Sequence, residues 1–459
     1  MVESRIIVVG AGPAGVRAAE ALVQAGKRPM VIDEERRDGG QIYRRQPAGF
    51  RRSTADLYGS EAERAVTLHK TFECLKDKID YRPETLAWNV SDDRLHVVGD
   101  NAQSEPLPFK ALIIASGATD RLMPLRGWNR AGVYSLGGAQ IALKAQACAI
   151  GRQVAFLGSG PLLYLVASQY VKAGASVAAV LDTSPYRRRV QALPKLLARP
   201  DALLKGIALS RHLKRSGVKV LTGVTPLEIG GDSEGGVGSV AVRLPNGKTE
   251  TIACDAVGLG YHLRPETQLA DLARCAFRFD EETRQWLPEL DEHGRSSVDG
   301  VYLAGDGSRV LGADGAEAAG RLAALAVLKD NGHAVAPGEM VRLVRQIARI
   351  DRFRQGLAEA FPWPHDVAAG LSDDTVICRC ETVTVGELRE VACDKGASEL
   401  NRAKAFSRVG MGRCQGRYCG HAAAEVVAAA ADIPLEQVGR LRGQAPVKPL
   451  PIATGRARP

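Results

Sequence analysis

The sequence predicts an α/β protein in which two Rossmann-like dinucleotide-binding domains are followed by a small helical domain. Three glycine-rich strand–turn–helix patterns support this class, and they begin near Arg5, Gln153 and Val301. Each pattern opens with a near-continuous apolar run, as expected for a parallel strand buried on both faces. The separate C-terminal domain is marked by four cysteines: Cys378, Cys380, Cys414 and Cys419.

Glycine-rich turns and shifts in composition divide the chain into five parts. We predict a first domain from 1–120 and 255–335, a second domain inserted at 121–254, a helical linker at 336–370, a cysteine domain at 371–435 and an extended tail at 436–459. The first domain is therefore discontinuous in sequence. A break is expected near the end of the linker, at Phe361-Pro-Trp-Pro364.

Composition restricts the possible classes of function. The chain has 459 residues, of which 45% are hydrophobic and 25% charged, as in ordinary soluble proteins. Its net charge is +9, but only 5% of residues are aromatic and no nucleic-acid-binding motif is present, so we predict no nucleic-acid partner. No apolar run reaches the roughly 20 residues of a transmembrane helix, and the N-terminus lacks signal-peptide features. We expect a cytoplasmic protein, with peripheral membrane contact left open.

The first glycine-rich turn has the full context of a dinucleotide-binding fingerprint. Gly10-Ala-Gly12-Pro13-Ala14-Gly15 follows an apolar strand and precedes a helix. Gly10 permits the tight turn, Gly12 lets the backbone approach a pyrophosphate, and Gly15 lets the helix pack on the strand. The start of the helix, with Pro13 and Ala14, then faces the phosphate charge.

An acidic residue completes this fingerprint. The next strand ends at Asp33, about 20 residues after the glycines, where an acid hydrogen-bonds the adenosine ribose. Glu34 is the second choice for that role. A purely structural turn is the alternative, and the presence of strand, helix and acid together disfavours it. The fingerprint alone does not separate FAD from NAD.

Three further motifs favour FAD because they resemble, in order, motifs of thioredoxin- and glutathione-reductase-like flavoproteins. They are the flavin-contacting segment, the central strand end, and the late motif whose Asp meets the flavin ribityl or pyrophosphate region. The residues concerned are Gly40 and Gln41; Ser116, Gly117 and Ala118; and Gly305 and Asp306. The resemblance implies FAD in the first domain. Taken alone, Asp306 would be interpreted as a turn residue.

The second Rossmann unit has an altered fingerprint. Gly158 and Gly160 match the first two glycines, but Leu163 replaces the third and would obstruct close packing of helix on strand. Leu181 falls where a ribose-binding acid would align, and Asp182 comes one residue later. We therefore expect NAD(P) binding to be doubtful. The unit is either a structural relic or a site for another nucleotide.

The four C-terminal cysteines have the spacing of a redox centre. Cys378-x-Cys380 followed by Cys414-x4-Cys419 resembles the [2Fe-2S] module of bacterioferritin-associated ferredoxins. Four thiolates also suit tetrahedral zinc, although zinc sites more often have two to four residues between paired cysteines. Unligated thiols are the third possibility. Nearby glycines would turn backbone N–H groups toward cluster sulfurs, and nearby arginines would offset negative charge.

Nearly the whole chain resembles one family of proteins. Residues 158–163, 374–381 and 410–419 carry the most specific likeness, and the likeness extends over roughly 5–435. The family comprises the flavoprotein α (A) subunits of bacterial amino-acid-type dehydrogenases. It includes opine oxidases, D-hydroxyproline and proline dehydrogenases, and the corresponding subunit of hydrogen cyanide synthase.

The resemblance implies a division of labour between subunits. A CH–NH or CH–NH2 donor would be oxidised at the FAD of a separate catalytic β subunit. This chain would then carry the electrons onward through its own FAD and [2Fe-2S] cluster to an external acceptor. A small ferredoxin-like γ subunit is a further candidate partner.

No catalytic residues are predicted from the sequence, since we find no acid–base or nucleophilic constellation. His262 stands alone, and a lone histidine is more often structural. Two other functions stay open. One is a stand-alone NAD(P)H-dependent FAD/[2Fe-2S] reductase that feeds an electron-transfer partner. The other is a nucleotide-stabilised scaffold with structural zinc.

Overall fold

Two parallel sheets flanked by helices form most of the protein in a computed structural model, which describes residues 5–47, 49–99, 102–231 and 234–451. The predicted α/β class with two Rossmann-like units and a helical C-terminal region is confirmed. Most of the predicted tail lies inside the described residues, and its last eight residues, 452–459, lie outside them.

The first domain is built on a sheet whose central strands are parallel and buried. Its elements up to residue 120 are β1 (Arg5–Val9), α1 (Pro13–Gln24), β2 (Met30–Ile32), α2 (Thr54–Tyr58), α3 (Ala62–Leu75), β3 (Asp80–Arg82), β4 (Leu86–Ser91), β5 (Arg94–Val98), β6 (Ser104–Ile114) and β7 (Ala118–Asp120). The strand order is β3-β2-β1-β6, and β4 and β5 extend β6 as an antiparallel meander. The carboxyl ends of β1 and β2 therefore meet at one edge, where ligands bind in such folds.

The second domain repeats this plan with a five-stranded parallel sheet. Its elements are β8 (Val133–Ser135), α4 (Leu136–Ala145), β9 (Gln153–Ser159), α5 (Pro161–Lys172), β10 (Ser176–Asp182), α6 (Tyr186–Gln191), α7 (Leu193–Leu196), α8 (Pro200–Arg215), β11 (Lys219–Thr222), β12 (Thr225–Gly231), β13 (Val237–Arg243), β14 (Thr249–Ala253) and β15 (Ala256–Tyr261). The order in the parallel sheet is β11-β10-β9-β15-β8, and strands β12, β13 and β14 form a separate antiparallel sheet.

Strand β15 corrects the predicted boundary at residue 255. We expected the chain to re-enter the first domain there, but β15 pairs in parallel with β9 and β8 of the second sheet. All six of its residues are buried. A strand buried on both faces has the same apolar pattern in either parallel sheet, so the pattern did not distinguish the two.

The chain returns to the first domain after β15. The elements that follow are β16 (Leu263–Pro265), α9 (Gln268–Leu272), β17 (Phe277–Asp280), β18 (Gln285–Pro288), β19 (Val301–Leu303) and α10 (Gly312–Asp330). Strand β16 pairs antiparallel with β7, and β19 joins β6 in parallel at the far side of the first sheet. Helix α10 packs on α1, where Gly320 allows close approach because a Cβ there would lie 1.9 Å from the Ala14 carbonyl oxygen.

The C-terminal part is mainly helical. It contains α11 (Pro337–Ala360), β20 (Val376–Cys378), β21 (Val383–Thr384), α12 (Val385–Cys393), α13 (Leu400–Ser407), α14 (Gly420–Ala431) and α15 (Leu435–Val438). Helix α11 occupies most of the predicted linker. The cysteine domain shares one hydrophobic core with the second domain, and Trp128 of the latter donates its indole N–H to the Val376 carbonyl at 2.5 Å.

The tail then crosses back to the first domain. The backbone N–H of Val447 donates to the Trp88 carbonyl of β4 at 3.1 Å, and Lys448 pairs with Glu34. The start of the tail is not extended, because 435–438 form α15. Among the described residues, no helix has both the length and the apolar character needed to span a membrane.

Candidate functional site

The first glycine-rich turn has the shape that a pyrophosphate requires. A Cβ on Gly10 would lie 2.4 Å from the Ala115 carbonyl oxygen, and one on Gly15 would lie 1.7 Å from the Gly10 carbonyl oxygen, so both positions need glycine for packing. Gly12 differs: a Cβ there would approach only Gly40, at 3.6 Å. The space above Gly12 lies at the start of α1, where backbone N–H groups favour an anion.

Pro13 and Ala14 shape the start of that helix. Pro13 occupies the first helical position, where the missing N–H costs no hydrogen bond. Ala14 is buried, and its side chain would lie 2.8 Å from a Cβ placed on Gly305. The late motif therefore packs directly against the first turn of α1.

Asp33 stands at the end of β2, beside the glycine-rich turn. Its carboxylate accepts hydrogen bonds from the backbone N–H of Ala11 at 2.5 Å and of Glu35 at 2.7 Å. Burial raises the pKa of Asp33 to about 6, against the effect of these two hydrogen bonds. The alternative acid, Glu34, pairs instead with Lys448 of the tail.

The other predicted flavin motifs converge on the same turn. The backbone N–H of Gly39 donates to the Ala11 carbonyl at 2.9 Å, and a Cβ on Gly40 would lie 3.0 Å from the Gly12 Cα. Gln41 follows and is exposed. A left-handed backbone at Gly40, with φ of 61°, is what lets this loop turn over the glycine-rich segment.

Ser116, Gly117 and Ala118 follow β6 and connect the turn to β16. The Ser116 hydroxyl donates to the Glu266 carbonyl at 2.6 Å, and the Glu266 N–H donates to the Gly117 carbonyl at 2.9 Å. Ala118 begins β7, where it pairs with Pro265. This motif therefore also fixes residue 266, which the sequence did not single out.

Asp306 fixes the backbone at the start of α10 through hydrogen bonds. Its Oδ1 atom accepts from the backbone N–H groups of Leu311 at 2.8 Å and Gly312 at 2.9 Å. Both bonds fall on one oxygen, so Oδ2 is the carboxylate atom available to a ligand. Burial raises the pKa of Asp306. We call the whole arrangement the first cradle: 10–15, 33, 39–41, 116–118 and 305–306.

The second glycine-rich turn is filled by protein. A Cβ on Gly158 would lie 1.8 Å from the Gly260 carbonyl oxygen, which matches the packing role of Gly10. A Cβ on Gly160, the counterpart of Gly12, would lie 3.3 Å from the His262 ring. Leu163 is fully buried in the core beneath α5, so the helix accommodates this larger residue.

Asp182, not Leu181, occupies the position of the ribose-binding acid. A register shift between Val177 and Ala179 displaces β10 by one residue, so that Asp182 lies opposite Gly158. In the first domain Ile32 lies opposite Val9, which places Asp33 opposite Gly10. Our sequence alignment of Leu181 with the acid was therefore wrong, because a bulge leaves no mark in an apolar run.

The carboxylate of Asp182 is already bound by protein. It accepts hydrogen bonds from the Tyr164 hydroxyl at 2.6 Å and from the Ser184 N–H and hydroxyl at 2.8 and 2.6 Å, and it pairs with Arg189. The side chain is fully buried, which raises its pKa, while Arg189 acts in the opposite direction.

A segment after α11 covers the second turn. His262 Nε2 donates to the Phe361 carbonyl at 2.5 Å, and the Arg189 guanidinium lies 5.0 Å from the centre of the Phe361 ring. Burial lowers the pKa of His262 to about 4, so the ring is neutral near pH 7. We call Arg189, His262 and Phe361 the second-site cover. It gives His262 a structural contact, in agreement with the sequence-based interpretation.

The four predicted cysteine ligands touch one another through their thiols. Cys419 contacts Cys378 and Cys414, and Cys380 contacts Cys414. Hydrogen bonding from Cys419 lowers the pKa of Cys378 to about 6 and that of Cys414 to about 5. The contacts run in the order Cys378, Cys419, Cys414, Cys380. In the part of the chain that the structure describes, no three His, Cys, Asp or Glu side chains form a group that could hold a metal ion.

Backbone groups around these thiols also face the sulfur atoms. The N–H of Gly410 bonds Cys378, and the N–H groups of Gly416 and Tyr418 bond Cys414. Gly410 and Gly416 have φ angles of 80° and 75°, a region that favours glycine. The predicted role of these glycines agrees with this geometry, and N–H···S bonds tune the potential of sulfur-ligated clusters.

A buried ion pair joins the first cradle to the cysteines. Arg417 donates to the Glu266 carboxylate at 2.7 and 3.2 Å and to the Cys414 carbonyl at 3.3 Å. Glu266 is in turn bonded to Ser116 and Gly117 of the cradle. Sequence reasoning missed this link, because Glu266 and Arg417 are 151 residues apart and no motif connects the two.

Two family models match the chain and define the class of protein to which it belongs. Residues 4–324 match the family model for pyridine nucleotide-disulphide oxidoreductases, and residues 373–458 match the sarcosine oxidase A3 domain. With the geometry of the first cradle, this makes the protein an FAD-dependent oxidoreductase. An L-proline dehydrogenase structure from P. horikoshii has a similar fold, with a TM-score of 0.70 at 21% identity over 99% of this chain and 79% of that one.

Two curated relatives narrow the assignment. The chain is 37% identical to the A subunit of opine oxidase from Rhizobium meliloti, over 98% of this chain and 86% of the relative. It is 31% identical to the HcnB subunit of hydrogen cyanide synthase from Pseudomonas aeruginosa, over 98% and 97%. The chain thus belongs to the family of flavoprotein α subunits that contains these proteins, as the sequence motifs predicted.

Proposed function

We propose that this chain is the electron-transferring subunit of a multi-subunit dehydrogenase or oxidase that acts on amino-acid-type donors, such as opines, hydroxyproline or proline. In this proposal a catalytic FAD-containing β subunit oxidises the substrate, a small ferredoxin-like γ subunit is a further candidate partner, and the complex is cytoplasmic. Two of the relatives are subunits of an opine oxidase and of hydrogen cyanide synthase, which supports this assignment.

One observation carries the proposal: the first cradle and the cysteine domain are held together through Glu266 and Arg417. Arg417 is 7% exposed and bonds both the Glu266 carboxylate and the Cys414 carbonyl. Two redox sites that exchange electrons within one chain need a fixed separation, and a buried, multiply bonded ion pair supplies that rigidity.

Three features of the first cradle support its assignment as the FAD site. FAD, when bound, supplies redox chemistry that accepts electrons in pairs and releases them singly. Gly12 and Gly40 leave room for a pyrophosphate at the start of α1, and Asp33 can accept from the ribose hydroxyls while keeping its two backbone bonds. Asp306 Oδ2 can accept from the ribityl chain.

The cysteine domain suits a [2Fe-2S] cluster, which supplies one-electron transfer when bound. The contacts that link Cys378, Cys419, Cys414 and Cys380 bring four thiols to one place, which supports the ligation of two irons by two thiolates each. Backbone N–H groups of Gly410 and Gly416 then bond ligand sulfurs. Structural zinc is the rival occupant of the same thiols.

The second-site cover disfavours the alternative of a stand-alone NAD(P)H-dependent reductase. To bind a pyridine nucleotide there, the chain would have to move Phe361 away from His262 and release Asp182 from Arg189. Each of these contacts is partly buried, so breaking them leaves polar groups without partners.

Cofactor analysis of the anaerobically purified complex tests the proposal. We expect about one FAD, two irons and two labile sulfides on this chain, with a second flavoprotein subunit co-purifying. Zinc without iron would favour the scaffold alternative. A protein that purifies alone and is reduced rapidly by NADH or NADPH would favour the reductase.

A further inference from the structure

One surface concentrates the exposed apolar side chains of the molecule. Ten large apolar side chains are exposed in the described residues, and six of them lie within the 22-residue stretch 186–207, which runs from α6 through α7 into α8. The remaining four are scattered. The six are Tyr186, Val190, Leu193, Leu197, Leu204 and Ile207. Such clustering marks an interaction surface, whereas single exposed apolar residues are ordinary.

The inner face of the same segment is fixed to the rest of the protein. Ala192 and Leu196 are buried against α11, and Arg349 of α11 donates to the Ala198 carbonyl at 2.7 Å. Arg199 pairs with Asp314 at 2.6 Å. The segment is therefore anchored on one side and presents its apolar side to the surroundings.

The same stretch is strongly basic. Residues 186–215 contain nine Lys or Arg and a single acid, Asp201. Within the described residues, five exposed cations of this stretch form no ion pair: Arg187, Arg188, Arg211, Lys214 and Arg215. On α8, the spacing of Leu204, Ile207, Arg211 and Lys214 places apolar and basic side chains on one helix face.

We propose that this basic apolar surface, residues 186–215, docks the protein peripherally on an anionic phospholipid bilayer. Interfacial helices combine Leu-type side chains with a high content of Lys and Arg, because the former enter the headgroup boundary and the latter meet anionic lipids. The core of a protein–protein interface is depleted in charged residues as a whole and enriched in aromatic residues, although Arg is common there. Here the only aromatic residue among the six is Tyr186.

Both halves of this chemistry should contribute to binding. The exposed leucines supply apolar area that only a lipid or another apolar surface would cover. The unpaired cations supply attraction that falls with salt and with removal of anionic lipid. Near an anionic membrane surface each removed cation should weaken binding about fivefold.

Flotation of the purified full-length holoprotein with vesicles tests the proposal. We expect binding to vesicles of phosphatidylcholine with phosphatidylglycerol, and much weaker binding to phosphatidylcholine alone or at high salt. Leu197→Glu with Leu204→Glu should abolish flotation, and Arg211→Gln with Lys214→Gln should weaken it about 30-fold. The matched control is Phe406→Glu, an exposed apolar residue of α13 far along the chain, which should bind as wild type.

Thermal unfolding and flavin content should be unchanged in all three variants, since the replaced side chains are exposed. The proposal is wrong if wild type does not float with anionic vesicles, or if the Leu197/Leu204 variant floats equally well. It is also wrong if the wild-type protein does not bind vesicles and the Leu197/Leu204 variant loses a subunit that co-purifies with the wild type. The surface would then be a protein interface.

Discussion

The two Rossmann units of this chain share a backbone plan but differ in what lies over the glycine-rich turn. In the first, Gly12 faces another glycine, Gly40, and the acid Asp33 is bonded by backbone N–H groups. In the second, Gly160 faces the His262 ring, and Asp182 accepts from side chains as well as from one backbone N–H and is fully buried. The space over the first turn is open to a ligand, whereas the space over the second turn is filled by side chains of the protein.

The two units differ outside the fingerprint, and we expect their capacity to bind a nucleotide to be decided there. Both units retain the acid in the same register and the first two glycines. What separates them is the second-site cover: Arg189 from α6, His262 after β15, and Phe361 after α11. In the first domain the corresponding space is bordered by glycines.

The largest effect is expected from closing the first cradle. Gly12→Val should place a side chain where the pyrophosphate must lie and abolish FAD retention. Gly160→Ala, at the counterpart position with φ of 103°, should lower stability yet leave the flavin-to-protein ratio unchanged. Flavin absorbance of the purified variants measures both. An equal loss of flavin from Gly12→Val and Gly160→Ala would contradict the proposed difference between the two units. Asp306→Ala should weaken FAD binding, but less than Gly12→Val does.

Removing one cysteine ligand should empty the cysteine site without touching the first cradle. Cys414→Ser should lose iron and the visible cluster spectrum and keep FAD, because the residues of the two sites belong to different domains. Cys393→Ser is the control, since this thiol is exposed and bonds the Ala430 carbonyl. Iron analysis measures the result. Iron lost from Cys393→Ser and kept in Cys414→Ser would refute our ligand assignment.

Cutting the link between the first cradle and the cysteines should destabilise the protein. Glu266→Gln leaves Arg417 buried without its counter-charge and should lower the free energy of unfolding by about 3 kcal/mol. Asp271→Asn is matched to it, because Asp271 also pairs with an arginine of the C-terminal part, the more exposed Arg440. It should cost about 1 kcal/mol. Denaturant titrations compare the free energies of unfolding of the two variants. An equal decrease in both would contradict the claim that the Glu266–Arg417 pair is the more strongly stabilising one.

The second unit should respond to acid through His262. Its folded pKa is about 4 against an ordinary 6.5, so between these values the unfolded state binds a proton that the native state does not. The free energy of unfolding should therefore fall as pH drops from about 6.5 to 4, by up to about 3 kcal/mol from this residue. His262→Gln should flatten that slope in urea titrations. A slope unchanged by the substitution would mean that the cover does not exclude the charged ring.

Much of the first cradle could be predicted because it is assembled from short motifs, each of which is continuous or nearly so in the sequence. The glycines of the first turn with Asp33 are one such motif, and the cysteine pairs of the C-terminal domain were recognised in the same way from their spacing. Asp182 was misaligned because one bulged residue in β10 leaves no trace in an apolar run. The second-site cover and the Glu266–Arg417 pair join residues 99 and 151 positions apart, where local patterns carry no signal.

The most direct test of the account is anaerobic stopped-flow spectroscopy of the isolated holoprotein and of the reconstituted complex. We predict that NADH and NADPH reduce the isolated chain only slowly, because the second-site cover occupies the space that a pyridine nucleotide would need. An opine or imino-acid donor should reduce the flavins, and then the cluster, only when the partner subunit is present. Fast stoichiometric reduction of the isolated chain by either pyridine nucleotide would contradict the account.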